Sequence, residues 1–157
     1  MRYDFNADDV FEMAEQLERN GARFYQNSAA SVEGEEAKKL LVKLANMELD
    51  HEKIFKQMRS DLAAAEKQST VFDPEGDAIL YLRALADTRV FFQKEIDTTS
   101  LREILKAAIE AEKDSIVFYL GMKEMVPEKL GRERLDEIIK EEMSHIRMLS
   151  KELVPLK

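Results

Sequence analysis

The chain has 157 residues, 45% of them apolar, enough for one complete hydrophobic core and too few for two ordinary domains. Its formal charge of −8 argues against a phosphate-binding surface, which needs clustered Lys and Arg, so no nucleic-acid partner is expected. With no cysteine, disulfides, thiolate-held zinc, iron–sulfur clusters and four-thiolate iron are excluded, and with no apolar leader or run of about 18 apolar residues the expectation is a soluble, cytoplasmic protein without a membrane partner.

Glu, Lys, Leu, Ala, Met and Arg dominate while Gly (5) and Pro (3) are scarce, so an all-α chain is expected. Asn6 before Ala7-Asp8-Asp9 reads as an N-cap with an acidic first turn, opening a helix through Phe11, Ala14, Leu17, Gly21, Phe24 and Tyr25 to about Ala30. A second helix is predicted from Gly34-Glu35-Glu36 to about Lys67, with Leu41, Leu44, Ile54, Phe55 and Met58 on its apolar side. From Gln68 to Ser100 the pattern loosens: Asp73-Pro74-Glu75-Gly76 marks a turn, Ile79 to Ala86 a short helix, and Val90-Phe91-Phe92 a buried stretch. Ser100 and Glu103 form a capping box for a third helix that ends near Val126, before Pro127, and a fourth runs from about Glu128 to Leu153.

Polar residues interrupt the apolar stripe of every long helix. In the second, positions 41, 44, 48, 51, 55 and 58 form the stripe, and two of them are Glu48 and His51. In the fourth, positions 135, 138, 142, 145 and 149 include Glu142 and His145, a second Glu-x-x-His. Glu18 breaks the stripe of the first helix and Glu112 that of the third. Buried unpaired charges are expensive, so four inward carboxylates need a compensating partner, and two divalent cations would balance them. Glu18, Glu48 and His51 recur 94 residues later as Glu112, Glu142 and His145, and Glu18-x-x-Gly21-x-x-Phe24-Tyr25 recurs as Glu112-x-x-Ser115-x-x-Phe118-Tyr119. This is a duplicated helical hairpin, whose pseudo-twofold axis would give each metal one imidazole and three carboxylates, two of them shared. Tyr25 and Tyr119 are candidate catalytic support from behind the ligands, beside the plainer reading as core aromatics. Glu52 and Glu141 adjoin the motifs but are expected to point off the ligand face as solvated charges.

One Glu from each of two helices and Glu-x-x-His from each of the other two is the known ligand pattern of di-iron and di-manganese carboxylate bundles. The chain thus resembles the ferritin-like superfamily over all four long helices, and its Glu-x-x-(Gly/Ser)-x-x-Phe-Tyr helices are most similar to the rubrerythrin family. The resemblance implies one ferritin-like four-helix bundle over residues 1–157: a hairpin over 6–67, a long crossover with a short helix over 68–100, and a hairpin over 101–153. It implies two iron ions, with manganese the alternative given the Glu and His donors. Glu48 and Glu142 would bridge, Glu18 and Glu112 be terminal, and His51 and His145 bind one metal each.

The implied activity is reduction of hydrogen peroxide or dioxygen. Because the rubredoxin part of full-length rubrerythrins needs cysteines and this chain has none, electrons would come from a separate donor protein. The chain departs from rubrerythrins proper at Ser115, where they carry an extra carboxylate. A homodimer or small homo-oligomer is expected. Two other readings are a bacterioferritin-like ferroxidase for iron storage, against which only twelve residues follow His145, and a non-catalytic helical bundle in which the polar residues specify packing.

Overall fold

A computed structural model describes residues 7–62, 80–82, 84, 100–126 and 131–156. Four long helices occupy most of them: α1 (Ala7–Ser31), α2 (Glu35–Ser60), α3 (Leu101–Met125) and α4 (Arg132–Leu153), followed by a 3-10 turn, Val154–Leu156. The expected Asn6 cap, the 73–76 turn and the buried 90–92 stretch lie outside the described residues. Of the crossover, residues 80–82 and 84 are helical, within the predicted short helix.

Local chemistry sets the helix ends. Asp8 and Asp9, then Glu35 and Glu36, place negative charge in the first turns of α1 and α2, where unpaired N–H groups favour it. Ser100 caps α3 by accepting the Glu103 backbone N–H at 3.3 Å, and Val126 leaves the helix in an extended conformation, as a residue before proline favours.

Two predicted boundaries are corrected. The second helix stops at Ser60 instead of Lys67, with the Leu62 N–H bonding back to the Arg59 carbonyl in a tightened turn. Leu62 stays buried and keeps the seven-residue spacing from Phe55, so periodicity alone runs past the break. The fourth helix starts at Arg132 instead of Glu128, because Gly131 has φ +111° and cannot be helical.

Side-chain contacts fix the directions. Arg59, at the end of α2, holds Asp8 bidentately at 2.8 and 3.0 Å and Glu15 at 2.9 Å, so α2 runs antiparallel to α1. Glu18 meets Tyr119 and Tyr25 meets Glu112, so α3 is also antiparallel to α1. It follows that α2 and α3 run parallel, which a short hairpin between them could not achieve.

The apolar side chains gather in two clusters. One contains Phe11, Leu17, Phe55, Leu82, Phe118, Met122, Leu135 and Ile138, and the other Ala29, Leu41, Leu44, Ile104, Leu105, Ala108 and Leu149. Along each helix the predicted polar positions fall between the residues of the first cluster and those of the second. On α2, for example, Leu41 and Leu44 lie on one side of Glu48 and His51, and Phe55 on the other. Each fully buried large side chain contributes about 1.5–3 kcal/mol, and the two clusters hold the helices against the polar layer from both sides. Where residues 81 and 82 cross α3, a Cβ on Gly121 would lie 2.8 Å from the Tyr81 ring, so glycine permits the approach.

The left-handed Gly131 yields a test of the α3–α4 connection. An L-residue there costs about 1–2 kcal/mol, and its Cβ would meet Met58 Cε at 2.5 Å. Gly131→Ala is expected to lower Tm by roughly 2–8 °C in thermal circular dichroism, at about 2–4 °C per kcal/mol for a chain of this size. An unchanged midpoint would contradict the assigned conformation.

Candidate metal centre

The polar layer brings together all six residues singled out from the sequence. Glu18 on α1, Glu48 and His51 on α2, Glu112 on α3, and Glu142 and His145 on α4 are each at most 3% exposed. They form two overlapping groups, Glu18, Glu48, His51 and Glu142, and Glu48, Glu112, Glu142 and His145. Within each group the facing donor atoms lie within 4.8 Å of one another, and Glu48 and Glu142 belong to both.

The contacts repeat across a pseudo-twofold axis. His51 Nδ1 lies 3.5 Å from Glu18, 3.6 Å from Glu48 and 2.7 Å from Glu142. His145 Nδ1 lies 3.4 Å from each of Glu112, Glu142 and Glu48, the same set after the 94-residue shift. The two imidazoles are near-parallel, with centroids 5.7 Å apart and planes at 17°. Tyr25 donates to Glu112 at 2.5 Å and Tyr119 donates to Glu18, so each phenol crosses to the opposite hairpin and holds the carboxylate that only one group contains.

These atoms lack the hydrogen bonds that burial ordinarily demands. Glu48 Oε1, both oxygens of Glu142, and Nδ1 of both histidines are buried with no hydrogen-bond partner among the described residues, although they face one another. A metal fits this pattern, because donors about 2.0–2.2 Å from a shared ion stand roughly 3 Å apart at right angles. The Nδ1–carboxylate distances of 2.7–3.6 Å bracket that spacing. Carboxylate oxygens and imidazole nitrogens are donors that suit iron or manganese.

Protonation shows how the layer is neutralised without a metal. Burial, followed by the charges of Glu142, Glu112 and Glu18, pushes Glu48 well above the ordinary carboxylate range. Burial and the charges of Glu112 and Glu18 raise Glu142 to about 8. For Glu112 burial acts upwards, but contacts with Glu142, His145 and Tyr25 outweigh it and bring it to about 2. Glu18 is lowered in the same manner by Glu48, His51 and Tyr119 against its burial. Burial opposes charge on the imidazoles, yet the surrounding carboxylates raise His145 to about 12 and hold His51 well above its ordinary value. The metal-free layer near neutrality therefore holds two carboxylates, two imidazolium ions and two protonated carboxyls, with no net charge. Burial and the carboxylates also raise Tyr25 and Tyr119, which stay neutral donors.

Two neighbours depart from expectation. Glu52 is buried rather than solvated, 3.4 Å from Arg19 and 2.7 Å from Lys56. Glu141 keeps a half-exposed side chain but reaches His51 Nε2 at 2.5 Å, on the outer side of the ring. Its position one residue before Glu142 turns it towards α2, and no spacing rule within one helix reveals a partner on another. Ser115, the position at which the chain departs from the rubrerythrin pattern, is buried. Among the described residues, no helix is long and apolar enough to cross a membrane.

A sequence model described as Rubrerythrin matches residues 9–153. A crystal structure of a ferritin-like diiron-carboxylate protein from Thermotoga maritima is 28% identical, with 100% of each chain covered and a TM-score of 0.71. Comparison with the curated proteins gives no match.

The electrostatics predict how metal and pH act together. Glu142 is raised above its ordinary value of 4.5, so in the metal-free protein its contribution is complete below that value and lost as pH rises through about 8. His145 acts in the same direction, from its ordinary 6.5 towards about 12, while Glu112 contributes above 4.5 and is lost as pH falls towards 2. Metal-free stability should therefore peak near pH 5 and fall towards pH 8. One ion at about 100-fold over its Kd adds about 2.7 kcal/mol, or roughly 5–11 °C, so the Tm gap between metal-loaded and metal-free protein should widen over that span. Calorimetry in buffers of different ionisation enthalpy should show about four protons leaving as two ions bind near pH 7, one each from Glu48, Glu142, His51 and His145. A gap that narrows with pH, or no proton release, would contradict the charge account.

Proposed function

We propose that this chain, which belongs to the rubrerythrin family, is a di-iron carboxylate oxidoreductase reducing hydrogen peroxide or dioxygen with electrons from a separate donor protein. The observation that carries this reading is the pair of buried four-residue groups sharing Glu48 and Glu142. Shared carboxylates would hold two ions side by side, and a two-electron reduction draws on two adjacent one-electron centres. The diiron-carboxylate description of the similar Thermotoga maritima protein favours iron over manganese.

In this reading Glu48 and Glu142 would serve both ions, Glu18 and His51 would hold one of them, and Glu112 and His145 the other. Bound iron, when reduced, supplies the two electrons that with two protons convert hydrogen peroxide to two molecules of water. The chain's own residues bind, orient and insulate. The Tyr25 and Tyr119 hydroxyls hold Glu112 and Glu18, the carboxylates outside the shared pair, and fix their orientation by donating to one oxygen of each. Phe55 and Tyr119, with rings 5.3 Å apart, close one end of the layer against water, and the Leu41, Leu44 and Leu105 cluster closes the other.

Anaerobic loading with Fe(II) should reach two ions per chain, and rapid mixing with peroxide, then separately with dioxygen, should oxidise them on a timescale that identifies the preferred oxidant. Iron that binds but reacts with neither would contradict the assigned reaction. Glu48→Ala should lose both ions, because a bridge serves the pair, while Glu18→Ala should retain about one. Equal metal content in the two variants, read by elemental analysis, would reject the assigned roles.

A further inference from the structure

The repeat that relates the two half-sites fails at one contact. His51 Nε2 lies 2.5 Å from a Glu141 oxygen, whereas His145 Nε2 is buried with no hydrogen-bond partner among the described residues. The repeat equivalent of Glu141, 94 residues earlier, is Met47, whose thioether is a weak acceptor.

The consequence lies in how firmly each imidazole is held. Glu141 accepts from Nε2–H of His51, which turns Nδ1 towards Glu18, Glu48 and Glu142. The ring is thereby held in orientation before an ion arrives. His145 has no such anchor: among the described residues nothing accepts from its Nε2–H, which is buried and unpaired, so the ring is free to turn. Once one ion has partly neutralised Glu48 and Glu142, those shared carboxylates also attract a second ion less strongly.

We propose that Glu141 makes the two metal positions unequal, so that the position built from Glu18, Glu48, His51 and Glu142 takes the first divalent cation and the position containing Glu112 and His145 takes the second, more weakly. Glu141 is a positioning residue: it faces away from the ions and acts through the ring of His51. This rests on the metal reading above.

The test is titration of the metal-free chain with Mn(II), followed by calorimetry and electron paramagnetic resonance. The wild type should bind in two steps about 10–100-fold apart, and at one equivalent should show a mononuclear Mn(II) spectrum rather than a coupled pair. Glu141→Ala removes a half-exposed side chain and leaves the core closed, and it should weaken the first step by about 10–100-fold, drawing the two together. Glu141→Gln, which keeps a carbonyl acceptor for Nε2–H, should recover most of that loss. Met47→Glu, which supplies the missing carboxylate at the equivalent position, should strengthen the second step. His145→Ala should keep the tight step and His51→Ala lose it. A single affinity with a coupled pair at one equivalent, or two steps unmoved by Glu141→Ala, would overturn the proposal while leaving the metal reading intact. A wild type that takes up no Mn(II) and no Fe(II) would overturn both, and it would show before any variant is made.

Discussion

Four carboxylates and two imidazoles share one buried layer, and water cannot neutralise them there. Charges in such a layer need partners inside it, and the alternatives are few. Without a metal, protons on Glu48, Glu142 and the two histidines balance Glu18 and Glu112. With two divalent cations those protons become unnecessary, and the oxygens and nitrogens left without hydrogen bonds gain a common partner. The same requirement explains why the raised carboxyls are the ones shared by both groups: each faces the other and both unshared glutamates.

The helical framework exists in a form that serves this layer. Apolar clusters on either side keep the polar atoms from water and hold the helices at the spacing the contacts need. Because α2 and α3 run parallel, each hairpin presents one Glu-x-x-His helix and one single-Glu helix to the other, and the contacts recur under the 94-residue shift. The phenols reinforce the arrangement, since each reaches from one hairpin to a carboxylate of the other. Symmetry is incomplete outside this inner set, where Glu141 and Met47 occupy equivalent positions with different chemistry.

Much of the centre was legible in the sequence, because an inward-facing position on a long helix is readable from spacing and a glutamate there has no ordinary reason to exist. Glu18, Glu48, His51, Glu112, Glu142 and His145 stand out as interruptions of apolar stripes, and the common offset implies that they meet. What spacing could not convey is reach. Glu141 and Glu52 sit beside the stripe, and a helical projection assigns them to solvent, yet flexible side chains take one to an imidazole and the other to Arg19 and Lys56. Helix ends were legible where a side chain or proline marks them, as at Ser100 and Val126. They were not where a backbone turn leaves the periodicity intact, as at Leu62, or where a left-handed glycine decides, as at Gly131.

The central claim is that the buried layer is a two-ion site with Glu48 and Glu142 in common. Anomalous diffraction from crystals grown with metal, collected on both sides of the iron and manganese absorption edges, tests it most directly. The account predicts two peaks inside the layer, one against His51 Nδ1 and Glu18, the other against His145 Nδ1 and Glu112, with Glu48 and Glu142 touching both. A single peak, peaks on the surface, or an empty layer whose imidazoles stay paired with the carboxylates would contradict it.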